Sequence, residues 1–133
     1  MRTVLLASGL VALVVASGCA GGPPKSVVKG KLTNNNKSIL ADKKGGVIVT
    51  FFQADDPNKS YPGVFEKEDD HYEVHGLDFK GIPHGKYKVS INLQLPQMTA
   101  DATRFNERYS TANTPVEVEV TGPQLDIDLA KFK

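Results

Sequence analysis

Apolar and polar residues alternate with a period of two along most of the chain after residue 26. Alternation of this kind is typical of β-strands that bury one face. It predicts strands over 28–32, 47–52, 71–75, 86–94, 116–120 and 125–129. Turn-forming residues separate these runs, at 34–36, 45–46, 55–58, 83–85 and 122–123. Short strands joined by regular turns predict an all-β fold, a two-layer antiparallel β-sandwich of about seven strands.

The segment 96–114 breaks this alternation. We predict a long, partly anchored loop for it. In the alternative, 101–109 forms one or two helical turns that carry Phe105 and Tyr109 on one side. Long loops often carry binding sites, so this segment is a candidate binding loop. The contact residues of such a loop would be Arg104, Asn106, Arg108 and Tyr109.

The N-terminal residues follow a different pattern. A short basic start with Arg2 precedes an apolar stretch over 4–16. That stretch is too short to cross a bilayer, which needs roughly 20 apolar residues. Small residues follow, and then comes Cys19, the only cysteine in the sequence. A charged start, a short apolar region and small residues before a cleavage point predict a secretory signal peptide over 1–18.

The residues Ala16-Ser17-Gly18-Cys19 resemble the lipobox of bacterial lipoproteins. In that family the cysteine sulfur receives a diacylglyceryl group, and the signal is cut just before it. The resemblance implies secretion across the inner membrane and lipidation of Cys19. Because Ala20 rather than Asp follows, it favours an anchor in the cell envelope at the outer membrane or periplasm. The alternative is ordinary cleavage after Gly18, which leaves a free thiol without a disulfide partner.

The remaining chain divides into a tether and one domain. Residues 19–25 contain the lipidated cysteine and a flexible tether of Gly and Pro. Residues 26–133 form the sandwich, a length that suits a single domain. Loss of Arg2 with the signal reduces the 16 basic residues to match the 15 acidic ones. This balance speaks against a nucleic-acid partner, which would favour a clustered basic face.

Four strand motifs follow one another in a recognisable order. They are Val-x-Gly-x-Leu at 28–32, Gly-x-x-Val-x-Phe at 46–51, an acidic turn with an aromatic strand at 69–74, and Gly-x-Pro-x-Gly-x-Tyr-x-Val at 81–89. Their order resembles the transthyretin-like, carboxypeptidase-regulatory-like β-sandwich, and in particular short planctomycete lipoproteins of this type. The resemblance covers about 26–130 and implies an immunoglobulin-like or prealbumin-like fold. One departure lies at the acidic turn, where the family commonly has a glycine and 68–71 has none.

The last of these motifs also has a physical interpretation of its own. We expect Gly85 to adopt a positive φ before the strand, where a side chain would clash. Pro83 has a fixed φ that helps to direct the turn. Tyr87 should place its ring in the core and its hydroxyl at the rim.

We expect no catalytic activity. No Gly-x-Ser-x-Gly elbow occurs in the sequence. The transthyretin-like fold has an enzymatic branch, the hydroxyisourate hydrolases, with a terminal Tyr-Arg-Gly-Ser signature. The residues at 129–133 differ from that signature, which counts against this branch.

His71, Glu73 and His75 lie on one face of a predicted strand. The α-carbons of the two histidines would be about 13 Å apart, since a strand rises about 3.3 Å per residue. One metal ion is poorly suited to bind both histidines across that distance. His71 and Glu73 would need a third ligand, for example His84. A solvated strand face without metal or cofactor is therefore our prediction.

Two acidic strands close the sequence. A hairpin at 121–124 would place Glu119 opposite Asp126 and Glu117 opposite Asp128. Like charges directly opposed on a sheet are unfavourable, so this pairing needs compensation.

The first strand would supply the compensation. In the resembled fold it lies beside the penultimate strand, which would bring Lys29 and Lys31 next to Glu117 and Glu119. We therefore predict a Lys/Glu/Asp stripe on one outer sheet face. The alternative is that the four carboxylates bind a cation such as calcium, whose oxygen ligands must converge.

These features predict a non-catalytic, lipid-anchored cell-envelope module with a binding or structural role. It would present one sheet face or the 96–114 segment to a protein or carbohydrate partner. Ile48 and Phe52, apolar yet predicted to point outward, favour a covering element or a homodimer contact. The alternative is a carrier that holds a small apolar ligand in a dimer channel or in the mouth of the sandwich. A metal-dependent enzyme is the third possibility.

Overall fold

The structure, a computed structural model, describes residues 22–40 and 44–133. The predicted signal peptide over 1–18 and the lipidation site Cys19 lie outside these residues. The strands are β1 (Lys25–Ser26), β2 (Val28–Gly30), β3 (Leu32–Asn34), β4 (Lys37–Ser38), β5 (Gly46–Gln53), β6 (Ser60–Glu66), β7 (His71–Val74), β8 (Ile82–Pro83), β9 (Gly85–Gln94), β10 (Glu117–Val120) and β11 (Ile127–Asp128). Helix α1 spans Ala100–Arg108, and a 3₁₀ helix spans Leu129–Lys131.

The strands form one large sheet and two small ones. The large sheet has six strands in the order β10-β9-β5-β6-β7-β2, and all neighbours in it are antiparallel. A three-stranded sheet has the order β11-β3-β4, and β1 pairs with β8. The sheets pack together in a mostly β molecule, so the predicted all-β sandwich class is confirmed.

Aromatic rings fill the interior between the sheets. Phe51, Tyr72 and Tyr87 are among the largest fully buried side chains. The Phe51 ring lies 5.8 Å from the Tyr72 ring and 6.0 Å from the Tyr87 ring, between centroids. The Tyr87 hydroxyl donates to the carbonyl of Pro83 at 2.6 Å, and Gly85 has a φ of +148°. The prediction for Tyr87 and the positive φ of Gly85 are therefore confirmed, whereas the expected clash is not found, because a Cβ at Gly85 would have no neighbour within 4 Å.

The predicted strand over 28–32 divides between the two larger sheets. Its first part, β2, belongs to the six-stranded sheet, and its second part, β3, belongs to the three-stranded sheet. Gly30 lies where the chain passes from one to the other. A Cβ at Gly30 would stand 1.6 Å from the carbonyl oxygen of Leu125. Glycine is therefore required for this close approach between the two segments.

Strand β6 is an element that the alternation did not predict. Its inward residues include Gly63, which has no side chain to mark a buried position. Its outward residues include Pro62 and Val64, which are apolar although exposed. Inward and outward positions therefore do not differ in polarity here, and the period-two pattern is lost.

The predicted hairpin between 116–120 and 125–129 is wrong. Strand β10 pairs with β9, which places Glu117 opposite Lys88 and Glu119 opposite Lys86. Strand β11 instead runs parallel to β3. This arrangement is favourable because it opposes unlike charges, whereas the hairpin would oppose like ones.

The predicted contact of Lys29 and Lys31 with Glu117 and Glu119 is also wrong. The backbone N–H of Lys29 donates to the carbonyl of Pro123, and the Lys29 carbonyl accepts from the N–H of Leu125. These bonds join the first strand to the segment that follows β10, while β10 lies at the far edge of the six-stranded sheet. On its other side β2 pairs with β7, so the Lys29 side chain meets that strand instead.

The predicted loop over 96–114 is wrong in its centre, and the helical alternative is correct. Helix α1 begins after Thr99, whose hydroxyl accepts from the N–H of Ala102 at 3.1 Å. This bond satisfies one of the free N–H groups at the helix start. The rings of Phe105 and Tyr109 pack at 4.6 Å between centroids. Within the described residues, no helix is long and apolar enough to span a membrane.

An asparagine attaches α1 to the edge of the large sheet. The Asn106 side chain accepts from the N–H of Leu93 at 2.7 Å and donates to the Leu93 carbonyl at 3.0 Å. The carbonyl of Tyr109 accepts from the N–H of Ile91 at 2.9 Å. The helix therefore satisfies the part of the β9 edge that β10 does not reach.

Candidate functional site

The six-stranded sheet has one face toward the core and one face away from it, here called the outer face. In the middle of the outer face, Ile48 of β5 lies opposite Val64 of β6. Ile48 is 39% exposed and Val64 is 57% exposed. Pro62 lies two residues along β6 and is also exposed. Exposed apolar groups therefore meet at the centre of this face.

Ile48 and Phe52 were both predicted to point outward, under a covering element or a homodimer contact, and both lie on this face. Phe52 lies opposite Lys88 of β9 and Ser60 of β6, on the side away from the core. It is nevertheless only 3% exposed. The exposed apolar area is therefore centred on the Ile48–Val64 pair rather than on Phe52.

Four side chains form a charged group at one margin of the outer face, here called the Glu73 cluster: Lys29, His71, Glu73 and His75. The Nζ of Lys29 lies 2.6 Å from Oε1 of Glu73, across the β2–β7 pair. The Nε2 of His71 lies 2.9 Å from the same oxygen. The Nε2 of His75 lies 2.9 Å from Oε2. Alternation along β7 brings the two histidines to the same carboxylate.

The electrostatics of the cluster favour an ionised carboxylate. The hydrogen bond from Lys29, followed by that from His71, lowers the pKa of Glu73 to about 2. In return, the hydrogen bond to Glu73 raises the pKa of His71 above its ordinary value. The Glu73 side chain is 16% exposed, so solvent screens these interactions only in part.

The cluster does not form the metal site that was considered for His71, Glu73 and His84. Both oxygens of Glu73 already have partners within the protein. His84 lies elsewhere, with its Nε2 at 2.7 Å from the hydroxyl of Ser26. Across 22–40 and 44–133, no three His, Cys, Asp or Glu side chains lie in an arrangement that could hold a metal ion.

The four carboxylates of the calcium alternative do not come together. Those of Glu117 and Glu119 are on β10, in the six-stranded sheet. Asp126 accepts from the N–H of Lys31 at 2.8 Å. Asp128 belongs to the other sheet and caps the 3₁₀ helix. Both aspartates thus satisfy backbone N–H groups, which is a structural role.

The four predicted contact residues of the 96–114 segment separate into two pairs. Asn106 and Tyr109 hold α1 against β9, as described above. Arg104 and Arg108 are exposed, and Arg104 pairs with Asp101 on the same helix. The two arginines line a surface depression of about 460 Å³. Its other lining residues are Glu107, Asn113, Pro115 and Lys133.

Another depression lies where β9 and β10 meet the outer face. Its lining includes Lys86, Lys88, Glu117 and Glu119. The rest of its lining comes from Ala54, Tyr87 and Val118, so charged and apolar groups are mixed there. This lining does not decide for or against the carrier alternative, which stays a prediction.

The loop between β7 and β8, residues 75–81, is a feature that the sequence analysis missed. Leu77 is 79% exposed and Phe79 is 80% exposed. Phe79 has a φ of +59°, in the left-handed region that bulky side chains rarely adopt. The N–H of Gly81 closes the loop by donating to the His75 carbonyl at 2.7 Å. Two apolar residues between Gly76 and Gly81, outside the predicted strands, were the available indication.

Comparisons of the chain with protein-family models, with curated proteins and with solved structures found no match. The transthyretin-like and lipoprotein resemblances therefore stay predictions.

Proposed function

We propose that this protein is a non-catalytic, lipid-anchored binding module of the cell envelope, whose outer face binds a protein or carbohydrate partner. The observation that carries the proposal is the exposed Ile48–Val64 pair, with Pro62 beside it, at the centre of a sheet face with charged margins. Apolar centres with polar margins are the usual composition of binding surfaces.

The strand register describes the shape of this surface. One row of side chains crosses five neighbouring strands in the order Asn92, Ile48, Val64, Glu73 and Lys29. With strands about 4.8 Å apart, the row is about 19 Å long. Its apolar middle supplies contact area, and its polar ends supply hydrogen bonds and charges. Such a flat, mixed surface suits a folded protein or a glycan chain better than a small ligand.

The lipobox resemblance supports the anchoring half of the proposal. A diacylglyceryl group on Cys19 supplies two acyl chains, and two chains hold a protein stably on a membrane. The transthyretin-like resemblance supports the binding half, since it implies a sandwich whose sheet faces can serve as contact surfaces.

Mass spectrometry of the protein from its own membranes tests the anchor. We expect cleavage before Cys19 and a diacylglyceryl mass on its sulfur. The variant Cys19→Ser should lose that mass and leave the membrane fraction. An unmodified thiol at position 19 in membrane-derived protein would refute the anchor.

Site-specific photo-crosslinking tests the binding surface. A photoreactive residue in place of Val64 should give a defined crosslinked product in intact cells, because Val64 lies at the centre of the outer face. Glu107 is the matched control, since it is also exposed but belongs to α1, which attaches at the β9 edge. Equal labelling from both positions, or none from Val64, would contradict this role of the outer face.

A further inference from the structure

The loop over 75–81, here called the Leu77–Phe79 loop, presents apolar side chains to solvent at its tip. Among the described residues, Leu77 and Phe79 are the most exposed large apolar side chains, at 79% and 80%. They are two positions apart, so they form one protrusion rather than scattered surface residues. The positive φ of Phe79 keeps an aromatic side chain in a conformation that favours glycine or asparagine.

The loop lies beside the point where the N-terminal tether joins the sandwich. The Nζ of Lys25 lies 2.9 Å from Oδ2 of Asp78, within the loop. A Cβ at Gly81 would stand 2.2 Å from the carbonyl carbon of Ser26, so the loop base lies directly against β1. The carbonyl of Pro24 accepts from the N–H of His84 at 2.8 Å. The tether exit and the loop are therefore fixed to each other.

The length of the tether limits how far the loop can be from a lipid on Cys19. Lys25 lies six positions after Cys19 in the sequence. A chain of that length spans at most about 20 Å when fully extended. A membrane that holds Cys19 is thus always within reach of the loop.

The charges around the loop also suit an anionic lipid surface. Lys25 and Lys80 flank the tip, and both are exposed. Asp78 is the acidic residue at the tip, and its hydrogen bond from Lys25 lowers its pKa. Asp78 is therefore ionised and offset by Lys25, which leaves Lys80 free to approach lipid phosphates.

We propose that the Leu77–Phe79 loop is a second membrane contact, which inserts its two apolar side chains at the boundary between headgroups and acyl chains. This rests on the lipid anchor proposed above for Cys19. The contact fixes the orientation of the sandwich, because the turn at 67–70, at the other end of β7, then points away from the membrane. Within the outer face, His75 then lies nearest to the membrane, since its ring is 6.4 Å from the Phe79 ring between centroids.

Tryptophan fluorescence in vesicles tests the contact, because the sequence contains no tryptophan. The variants Leu77→Trp and Phe79→Trp of the full chain, purified from membranes, are reconstituted into phosphatidylethanolamine–phosphatidylglycerol vesicles. Half of the vesicles carry brominated acyl chains, which quench an indole at the acyl boundary. We expect strong quenching for both variants. The matched control Glu68→Trp, in the turn at the other end of β7, should be quenched little or not at all.

Mass analysis of position 19 in the same samples separates the two proposals. A lipid on Cys19 with no more quenching for Phe79→Trp than for Glu68→Trp would overturn the loop contact and leave the anchor intact. Quenching specific to the loop without a lipid would support the contact and refute the anchor. Concentration-dependent burial of the indole without vesicles would indicate contact with a second copy, and it would also overturn the membrane contact.

A second measurement does not depend on an introduced indole. Transfer of the lipidated protein from loaded to empty vesicles should become about tenfold faster in the double variant Leu77→Ser and Phe79→Ser, because less apolar surface leaves the bilayer. Val64→Ser removes an exposed apolar residue from the outer face and serves as the control. Equal transfer rates for wild type and the double variant would overturn the contact.

Discussion

The segments at the two ends of β7 each contain a residue with a positive φ. The segment before the strand carries charged side chains, whereas the segment after it exposes apolar ones. At the turn before β7, Asp70 has a φ of +51°, and its carboxylate accepts from the hydroxyl of Ser38. At the loop after β7, Phe79 has a φ of +59° and its ring is 80% exposed. Aspartate is among the residues that adopt this conformation readily, whereas phenylalanine rarely adopts it. The Phe79 ring lies 6.4 Å from the His75 ring between centroids.

This difference indicates which end of the strand has a role outside the fold. The turn at 67–70 consists entirely of charged residues, as expected for a surface that faces water. The Leu77–Phe79 loop combines a strained backbone with exposed apolar side chains, so folding alone does not account for it. The residues between the two ends, Tyr72 in the core and Glu73 on the outer face, allow the comparison to be tested.

The largest effect is expected in the middle of β7. Tyr72→Ala removes a fully buried ring and should lower the free energy of unfolding by about 3–5 kcal/mol. Tyr72→Phe removes only the hydrogen bond to the Leu125 carbonyl and should cost about 1 kcal/mol. Urea unfolding measures both. A loss below about 1 kcal/mol for Tyr72→Ala would mean that the centre of β7 does not hold its two ends together.

The next effect concerns the attachment of the loop to β1. Gly81 has a φ of +99°, and a Cβ there would clash with the backbone of Ser26. Gly81→Ala should therefore destabilise the protein by more than about 1 kcal/mol in thermal unfolding. At Gly122 a Cβ would contact nothing within 4 Å, so Gly122→Ala is the control and should be close to neutral. Equal effects of the two substitutions would argue against a tight loop base.

A smaller, pH-dependent effect is expected for the Glu73 cluster. The lowered pKa of Glu73 means that its contribution is present above pH 4.5 and is lost as the pH falls toward 2. The raised pKa of His71 means that its contribution is present below pH 6.5 and is lost as the pH rises through the raised value. The stability difference between wild type and Glu73→Gln should therefore be largest between pH 4.5 and pH 6.5.

Thermal unfolding across pH 3–8 checks this prediction. The Lys29–Glu73 ion pair itself should contribute less than about 1 kcal/mol to the free energy of unfolding. Glu66→Gln is the matched control, because Glu66 also lies on the outer face, opposite His71 in the strand register. A stability difference between wild type and Glu73→Gln that does not change with pH would mean that the histidines do not affect stability through their contacts with Glu73.

The smallest effect should have the opposite sign. Asparagine adopts the left-handed region more readily than phenylalanine, so Phe79→Asn should stabilise the protein by about 0.5 kcal/mol in urea unfolding. Leu77→Asn changes polarity at a residue without a positive φ and should give no such gain. A destabilising Phe79→Asn would show that the ring supports the fold, and the contrast between the two ends of β7 would then disappear.

The sequence alone determined the strands in which burial alternates residue by residue. Alternation predicted most of β5 and β9, and the motif around Tyr87 predicted the hydroxyl at the rim and the positive φ of Gly85. These features depend on one residue and its immediate neighbours, so they can be read along the chain. Strand β6 was lost because Pro62 and Gly63 conceal the same alternation.

Only the tertiary structure decided which segments meet. Both of the last two segments alternate in sequence, but β10 pairs with β9, where unlike charges face each other, and β11 pairs with β3. In both cases the partners lie far apart in the sequence. The same holds for Asn106, which satisfies the edge of β9, and for the position of the Leu77–Phe79 loop beside the tether. Alternation specifies which side of a strand is buried, whereas its neighbours are selected by the summed energy of long-range contacts, which no local pattern contains.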